Sequence, residues 1–388
     1  MKKIMFWGDS PLLGTGFGNV LKFIIKHLPP GYKPVVLGVH HNNAKHTQPY
    51  KIYSVQLGEE QTKPSRIKEI IKTEKPDILF ILQDVWNLDL IMEFLHKEHL
   101  LKSIKVVTYT PIDAENHDPY WYKHFDKINK VVAYNNFGKS VMNKALLSNL
   151  IDTDIEVIEH GVDSTEFYDL GLSREQLRKA LFPEAPELDN AFIFLNAGRN
   201  QPRKTIDISM RAFAEFAKDK SDVFLYMHCG YIDSYIDVLR YAKILGIEDK
   251  LLMTSDQPGR VNVSIEHLNA IYNLCDVGLN SGLGEGFGLP NAEHGSLGKP
   301  QIVPNHSALT DLYSDCGLLV DAKISTIIPG FTNTTKMITD TDMSMCMNQL
   351  YSDKELYAEL SEKSKAKFSS DKYSWANITK QWIKLFDK

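Results

Sequence analysis

Cysteine is scarce and scattered: the four residues Cys229, Cys275, Cys316 and Cys346 form no CxxC pair and have no histidine at zinc-finger spacing. A zinc-finger or disulfide-framework design is therefore excluded, and the four are expected to be buried, reduced thiols. A charge excess is also missing. Across 388 residues, 44 Lys and Arg stand against 49 Asp and Glu, for a formal charge of −5 and no basic surplus of the kind that wraps nucleic acid. No apolar run approaches the ~18 residues of a membrane span. The opening residues, Met1 to Asp9, hold too short an apolar run for a signal peptide and turn acidic at once. The simplest reading is a cytosolic enzyme.

What the sequence does have is a repeated alternation of short β-branched and aromatic runs with amphipathic stretches of helix length, the pattern of parallel sheets covered by helices. The class is α/β. In the first half, strands are predicted at 3–7, 34–39, 78–82, 105–109, 130–133 and 156–159, with helices such as 19–27, 65–73 and 88–101 between them. The rhythm breaks over a polar stretch with Pro183 and Pro186 around one short charged helix, then resumes with strands at 192–196, 223–228, 250–254, 277–279, 301–304 and 317–320. Ile206, Met210, Phe213 and Ala217 recur at helical spacing and mark one buried face. Two doubly wound domains are expected: 1–165, completed by a closing helix at 374–388, and 191–373, with 166–190 as linker.

The chemistry-bearing residues cluster where strands end. The stretch 281–295, SGLGEGFGLPNAEHG, follows a strand and enters a helix, the place where open α/β sheets bind ligands. Its glycines let backbone amides approach a ligand closely, and a helix start offers donors and positive potential. Glu285 and Glu293 are eight residues apart, about two turns if the intervening segment is helical. They suit sugar and ribose hydroxyls or an electron-poor anomeric carbon; two solvated acids beside a glycine turn is the alternative. In 198–204, GRNQPRK, Arg199 and Lys204 combine a forked guanidinium with a point-charge ammonium, a pair suited to a diphosphate.

In the first half, the glycines at 14, 16 and 18 after the first strand read G-x-G-x-G, not G-x-G-x-x-G, and no acidic residue ends the second strand, which argues against a dinucleotide dehydrogenase. Asp113 and His117, in the turn after another strand, are candidates to act on an acceptor hydroxyl, with an Asx turn as the alternative. Asp84 and Trp86 are candidates to line an acceptor pocket, a capping role being equally open. Asp152-Thr153-Asp154 and Asp340-Thr341-Asp342 imitate a D-x-D metal motif, but the second is better explained as a helix N-cap, and no metal site is assigned. The apolar segment 19–27, with Lys22 and Lys26, would suit peripheral lipid contact, although a core-packing helix is the simpler reading.

Glu285 to Glu293 forms an E-x7-E pattern whose EGFGLP opening resembles that of retaining, GT-B fold glycosyltransferases of family GT4. Gly198-Arg199 with Lys204 resembles that family's G-R-x4-K element, with Thr205 in place of the glycine usual there, and Gly161-Val162-Asp163 resembles its strand-end G-V-D. The resemblance implies two Rossmann-like domains facing each other across a cleft, the first for the acceptor and the second for a nucleoside-diphosphate sugar, UDP- or GDP-linked. It implies Arg199 and Lys204 on the diphosphate and Glu293 on the ribose. Glu285, Gly286, Phe287, Gly288 and Leu289 would hold the sugar, with Gly16 and Phe17 on donor phosphate or acceptor. Hexosyl transfer with retention, without metal or other cofactor, is the implied activity; the candidate reacting side chains are Glu285 and, from their place after a first-half strand, Asp113 or His117. The acceptor is left open among saccharide, lipid-linked glycan, protein and hydroxylated nucleic-acid base. A binding protein of the same fold without turnover is the rival reading.

Overall fold

The computed structural model describes residues 1–55, 64–259 and 261–388. Two compact units emerge: Met1–His160 with Trp375–Lys388, and Gly161–Ser374.

In the first unit the order is β1 (Lys2–Asp9), α1 (Gly16–Lys26), β2 (Tyr32–Val39), β3 (Lys51–Val55), α2 (Pro64–Glu74), β4 (Ile78–Leu82), α3 (Val85–Lys97), β5 (Lys105–Thr110), β6 (Lys130–Ala133), α4 (Asn136–Ser148) and β7 (Ile155–Val157). Its seven strands lie in the order β3-β2-β1-β4-β5-β6-β7, every neighbouring pair parallel. Met5, Leu37, Leu79 and Val106 are buried on this sheet, so the central strands read as continuous apolar runs. β3 is a strand that the sequence pattern missed. Lys51, Tyr53 and Ser54 make it polar because it forms the sheet edge, where Lys51 and Tyr53 both reach Oε1 of Glu74, at 2.8 and 2.6 Å.

The second unit runs α5 (Arg174–Leu181), β8 (Phe192–Asn196), α6 (Ile206–Phe216), β9 (Val223–Met227), α7 (Val238–Leu245), β10 (Leu251–Met253), α8 (Ile265–Leu274), β11 (Val277–Leu279), α9 (Leu289–Ser296), β12 (Gln301–Pro304), α10 (Ala308–Tyr313) and β13 (Leu318–Val320). The antiparallel hairpin β14 (Ile324–Ile327) and β15 (Thr334–Met337), also missed in the sequence, precedes α11 (Asp340–Ser352) and α12 (Lys354–Phe368). The six-stranded parallel sheet has the order β10-β9-β8-β11-β12-β13. On α6, Ile206, Met210 and Phe213 are buried as the periodicity requires.

Both sheets reverse their winding next to their first strand: between β1 and β4 in one, between β8 and β11 in the other. Ligands of open α/β sheets bind at the carboxyl ends of the strands on either side of such a reversal. That rule points to the loops after β1 and β4, and after β8 and β11.

Three local expectations need correction. The stretch expected as linker, 166–190, is folded onto the second unit through Arg178. Its wholly buried guanidinium donates to the carbonyls of Leu188, Ala191 and Leu274 and to Asp276 Oδ2, the last at 2.8 Å. A charged helix reads as surface in a sequence, and only the tertiary partners of Arg178 reverse that. The cap of α11 is Thr339, whose hydroxyl accepts from Asp342 N–H at 3.0 Å; Asp340 is the first helical residue and pairs with Arg211 at 2.7 Å. Cys346 is only half-buried, unlike the other three free thiols.

The closing helix α13 (Trp375–Asp387) belongs to the first unit. Trp375 stacks on Phe23 of α1 with ring centroids 5.3 Å apart, and the fully buried Trp382 meets Phe80 and Tyr109 edge-on at 4.9 and 4.7 Å. Segment 19–27 therefore packs largely inward: Val20, Leu21, Phe23, Ile24 and Ile25 are buried. In the strand-end motif at 161–163, Val162 N–H donates to the Tyr373 carbonyl at 2.7 Å, within the second unit.

Candidate active site

In the second unit the loop after β8 and the loop after β11 meet around one carboxylate. Glu285 is 7% exposed, and its Oε1 receives both the Lys204 ammonium and Asn280 Nδ2, the latter at 3.1 Å. Arg203 Nη1 stands 4.0 Å from Oε2 and donates to the Gly284 carbonyl at 3.3 Å. Burial pushes the Glu285 pKa up, but Lys204, Arg203 and Asn280 outweigh it and hold the carboxyl below its ordinary range. The backbone is fixed as well: Glu285 N–H donates to Ser307 Oγ at 3.0 Å.

The turn that delivers Lys204 depends on Thr205, which takes a left-handed conformation, φ 40°, at the N-cap of α6. A β-branched residue pays steric strain there. Two hydrogen bonds offset it: Thr205 Oγ1 donates to the Ser281 carbonyl, and Ser281 Oγ donates to the Thr205 carbonyl at 2.9 Å. They also join the two loops, so that the departure from glycine at 205 is accommodated by its partner across the site.

After Glu285 the chain is not helical until Leu289. Gly288, at φ 85°, caps α9, so the two-turn helical spacing between Glu285 and Glu293 does not apply. Gly286 and Leu289 are half-buried, while Phe287 is buried. Glu293 lies on α9, 6% exposed, and accepts from the Tyr272 hydroxyl at 2.8 Å. Arg199 pairs with Asp233 through Nε at 3.0 Å and Nη2 at 2.8 Å, while Lys204 meets Glu285. Arg203, Asn280, Ser307 and Tyr272 are the site neighbours that sequence reasoning passed over. Arg203 adjoins Lys204 and was legible as a second cation; the others have no signature of their own.

The remaining predicted residues lie in the first unit. Gly16 and Phe17 open α1, where the Thr15 hydroxyl caps Gly18 N–H at 3.0 Å and donates to Asp9 Oδ2 at 2.6 Å. Asp84 is the N-cap position of α3, and the Trp86 ring meets Trp121 at 5.6 Å. Asp113 is half-buried in the turn after β5. His117 is buried, its Nδ1 2.8 Å from the Tyr122 hydroxyl, and burial lowers its pKa to about 4, which leaves the ring neutral at pH 7. Of the two D-x-D look-alikes, Asp154 faces Lys139 at 4.0 Å and Asp340 is committed to Arg211. Among the described residues no group of three or more His, Cys, Asp or Glu is placed to hold a metal, and no helix is long and apolar enough to cross a membrane.

A comparison with curated proteins gives no match. Among solved structures, a glycosyltransferase from Rickettsia africae superposes over 100% of this chain and 98% of its own, with a TM-score of 0.72 at 17% identity. HepE of Anabaena, in complex with UDP and glucose, covers 100% of both chains with a TM-score of 0.71 at 15% identity. Sucrose-phosphate synthase of Thermosynechococcus elongatus covers 100% of this chain and 98% of its own, with a TM-score of 0.73 at 13% identity. At these identities the likeness establishes the fold, which is GT-B. Residues 178–367, which carry Lys204, Glu285 and Glu293, match the family model described as glycosyl transferases group 1.

Proposed function

We propose that the protein transfers a hexose-type sugar from a nucleoside-diphosphate sugar to an acceptor hydroxyl, with retention of anomeric configuration. The observation that carries this reading is the convergence of Lys204, Arg203 and Glu285 at the reversal point of the second sheet, inside the segment that matches the glycosyltransferase family. UDP is the first donor nucleotide to test, since HepE binds UDP and glucose and an E. coli relative is bound with UDP-2-fluoro glucose.

In this reading the diphosphate draws Lys204 from Glu285, and Arg203 adds a second positive charge, with Arg199 available once it leaves Asp233. As the glycosidic bond breaks, negative charge grows on the departing diphosphate, and fixed cations stabilise that charge without further reorganisation. The same cations make a divalent metal unnecessary for this electrostatic task. Glu285 and the amides of Gly286, Phe287, Gly288 and Leu289 hold the sugar, and Glu293, oriented by Tyr272, accepts from the ribose. Gly16 and Phe17 serve donor phosphate or acceptor; Asp84 and Trp86 line the acceptor side, with Asp113 and His117 the groups beside its hydroxyl.

The test is a thermal-shift and hydrolysis screen of UDP-, GDP-, ADP- and CMP-sugars, with and without EDTA, on the wild type, Lys204→Ala and Glu293→Ala. One donor should raise Tm regardless of EDTA, and both substitutions should abolish the rise. A shift that needs metal and ignores both substitutions would overturn the reading.

A further inference from the structure

Behind Glu285 runs an unbroken line of buried side-chain amides. Asn280 Nδ2 donates to Glu285 Oε1 at 3.1 Å and to Asn291 Oδ1 at 2.9 Å. Asn291 Nδ2 donates to Gln301 Oε1 at 2.8 Å, and Gln301 Nε2 donates to His294 Nδ1 at 3.1 Å and to the Lys299 carbonyl at 2.9 Å. The line links the end of β11, the middle of α9 and the start of β12, and no member is more than 8% exposed.

Such a line is expensive in a core. Each amide must find partners or forfeit its hydration, and apolar residues would fill the same space without that demand. Room is made for it too: a Cβ on Gly278 would stand 2.0 Å from Gln301 Oε1, so a strand position forgoes its side chain where the Gln301 amide lies. Asn280 Oδ1 is fixed in turn by Gly282 N–H at 2.9 Å. The whole arrangement ends on the oxygen that Lys204 also grips.

That coincidence matters when a donor enters. A diphosphate competes for Lys204, and the carboxylate that loses its nearest cation stays buried, with Arg203 at 4.0 Å and Asn280 in direct contact. A donor held by two further buried amides cannot follow the ammonium. We infer that Asn280, seated by Asn291 and Gln301, is a positioning residue that keeps Glu285 aimed at the sugar while Lys204 turns to the diphosphate. The inference rests on the donor-site reading above. It assigns the amide line to turnover and not to nucleotide affinity.

The experiment compares the wild type with Asn280→Leu, Asn280→Ser and Gln301→Met for UDP binding by calorimetry, UDP-glucose hydrolysis and Tm. The inference expects UDP Kd within about twofold of wild type throughout, while kcat falls about 10- to 100-fold in Asn280→Leu and several-fold in Gln301→Met, the scale of a lost orienting hydrogen bond. Asn280→Ser keeps a donor and should recover part of the loss. If Asn280→Leu does not fold, the other two variants decide by the same criteria. Unchanged kcat, or UDP binding weakened as much as turnover, overturns the positioning role while leaving the donor site standing. A wild type that binds no UDP overturns the donor reading and this inference with it.

Discussion

Lys204 and Glu285 form an ion pair in which the carboxylate is almost wholly buried and the ammonium comes from a different loop. Removing one member of such a pair strands the other. Lys204→Ala should therefore destabilise the ligand-free protein by about 3 kcal/mol and weaken UDP binding about 10- to 100-fold, the value of one or two charge-assisted hydrogen bonds. Adding Glu285→Gln should restore much of the stability but none of the binding. Denaturant melts and calorimetry on both variants separate the two effects; joint recovery would refute the shared role of Lys204.

Arg178 and Asp276 pose the same question without any ligand. The pair is fully buried, and Asp276 Oδ2 also accepts from Ile193 N–H at 2.8 Å. Arg178→Ala should cost about 3–5 kcal/mol. Arg178→Lys should rescue little, since an ammonium cannot span the directed set of carbonyls that the guanidinium serves. Equilibrium unfolding checks both, and a loss below 1 kcal/mol in the alanine variant would contradict the assignment.

Thr205 predicts an inverted order of substitutions. Valine, the near-isostere, keeps the left-handed strain and loses the hydroxyl, so Thr205→Val should destabilise by about 2 kcal/mol. Glycine loses the same hydrogen bond but relieves about 1 kcal/mol or more of strain. Thr205→Gly should melt above Thr205→Val, and the reverse order would show that the strain argument fails.

Buried histidines set an acid limit. Burial lowers the pKa of His117 and His228 to about 4, and of His160 and His294 to about 3. Their unfolded value is near 6.5, so between pH 6.5 and 4 the unfolded chain binds protons that the native state refuses. Stability is therefore fully present above pH 6.5 and lost as pH falls through that window. The slope of unfolding free energy below pH 6 should exceed about 1.4 kcal/mol per pH unit, the contribution of one excluded proton. A flat profile down to pH 5 would rule this out.

The central parallel strands were legible because they are buried on both faces and spell continuous apolar runs; 78–82 is the clearest case. The edge strand β3 and the hairpin β14–β15 escaped because their exposed positions break that signal. The glycine-flanked Glu285 could be read from local spacing, as could Lys204. What could not be read is which cation meets which anion. Arg199 with Asp233 and Arg178 with Asp276 join residues 34 and 98 positions apart, and periodicity carries no information on such pairs.

The helix α13 gives the chain a timetable. During synthesis the ribosome emits the first unit's strands, then the entire second unit, and only afterwards Trp375 and Trp382, which seal the first sheet's exposed flank. The earlier-made unit is thus completed only after its successor has been synthesised, and until then Phe23 and Phe80 lack the partners that Trp375 and Trp382 supply. A chaperone that recognises exposed aromatic surface would find its longest opportunity there, on the half of the protein made first.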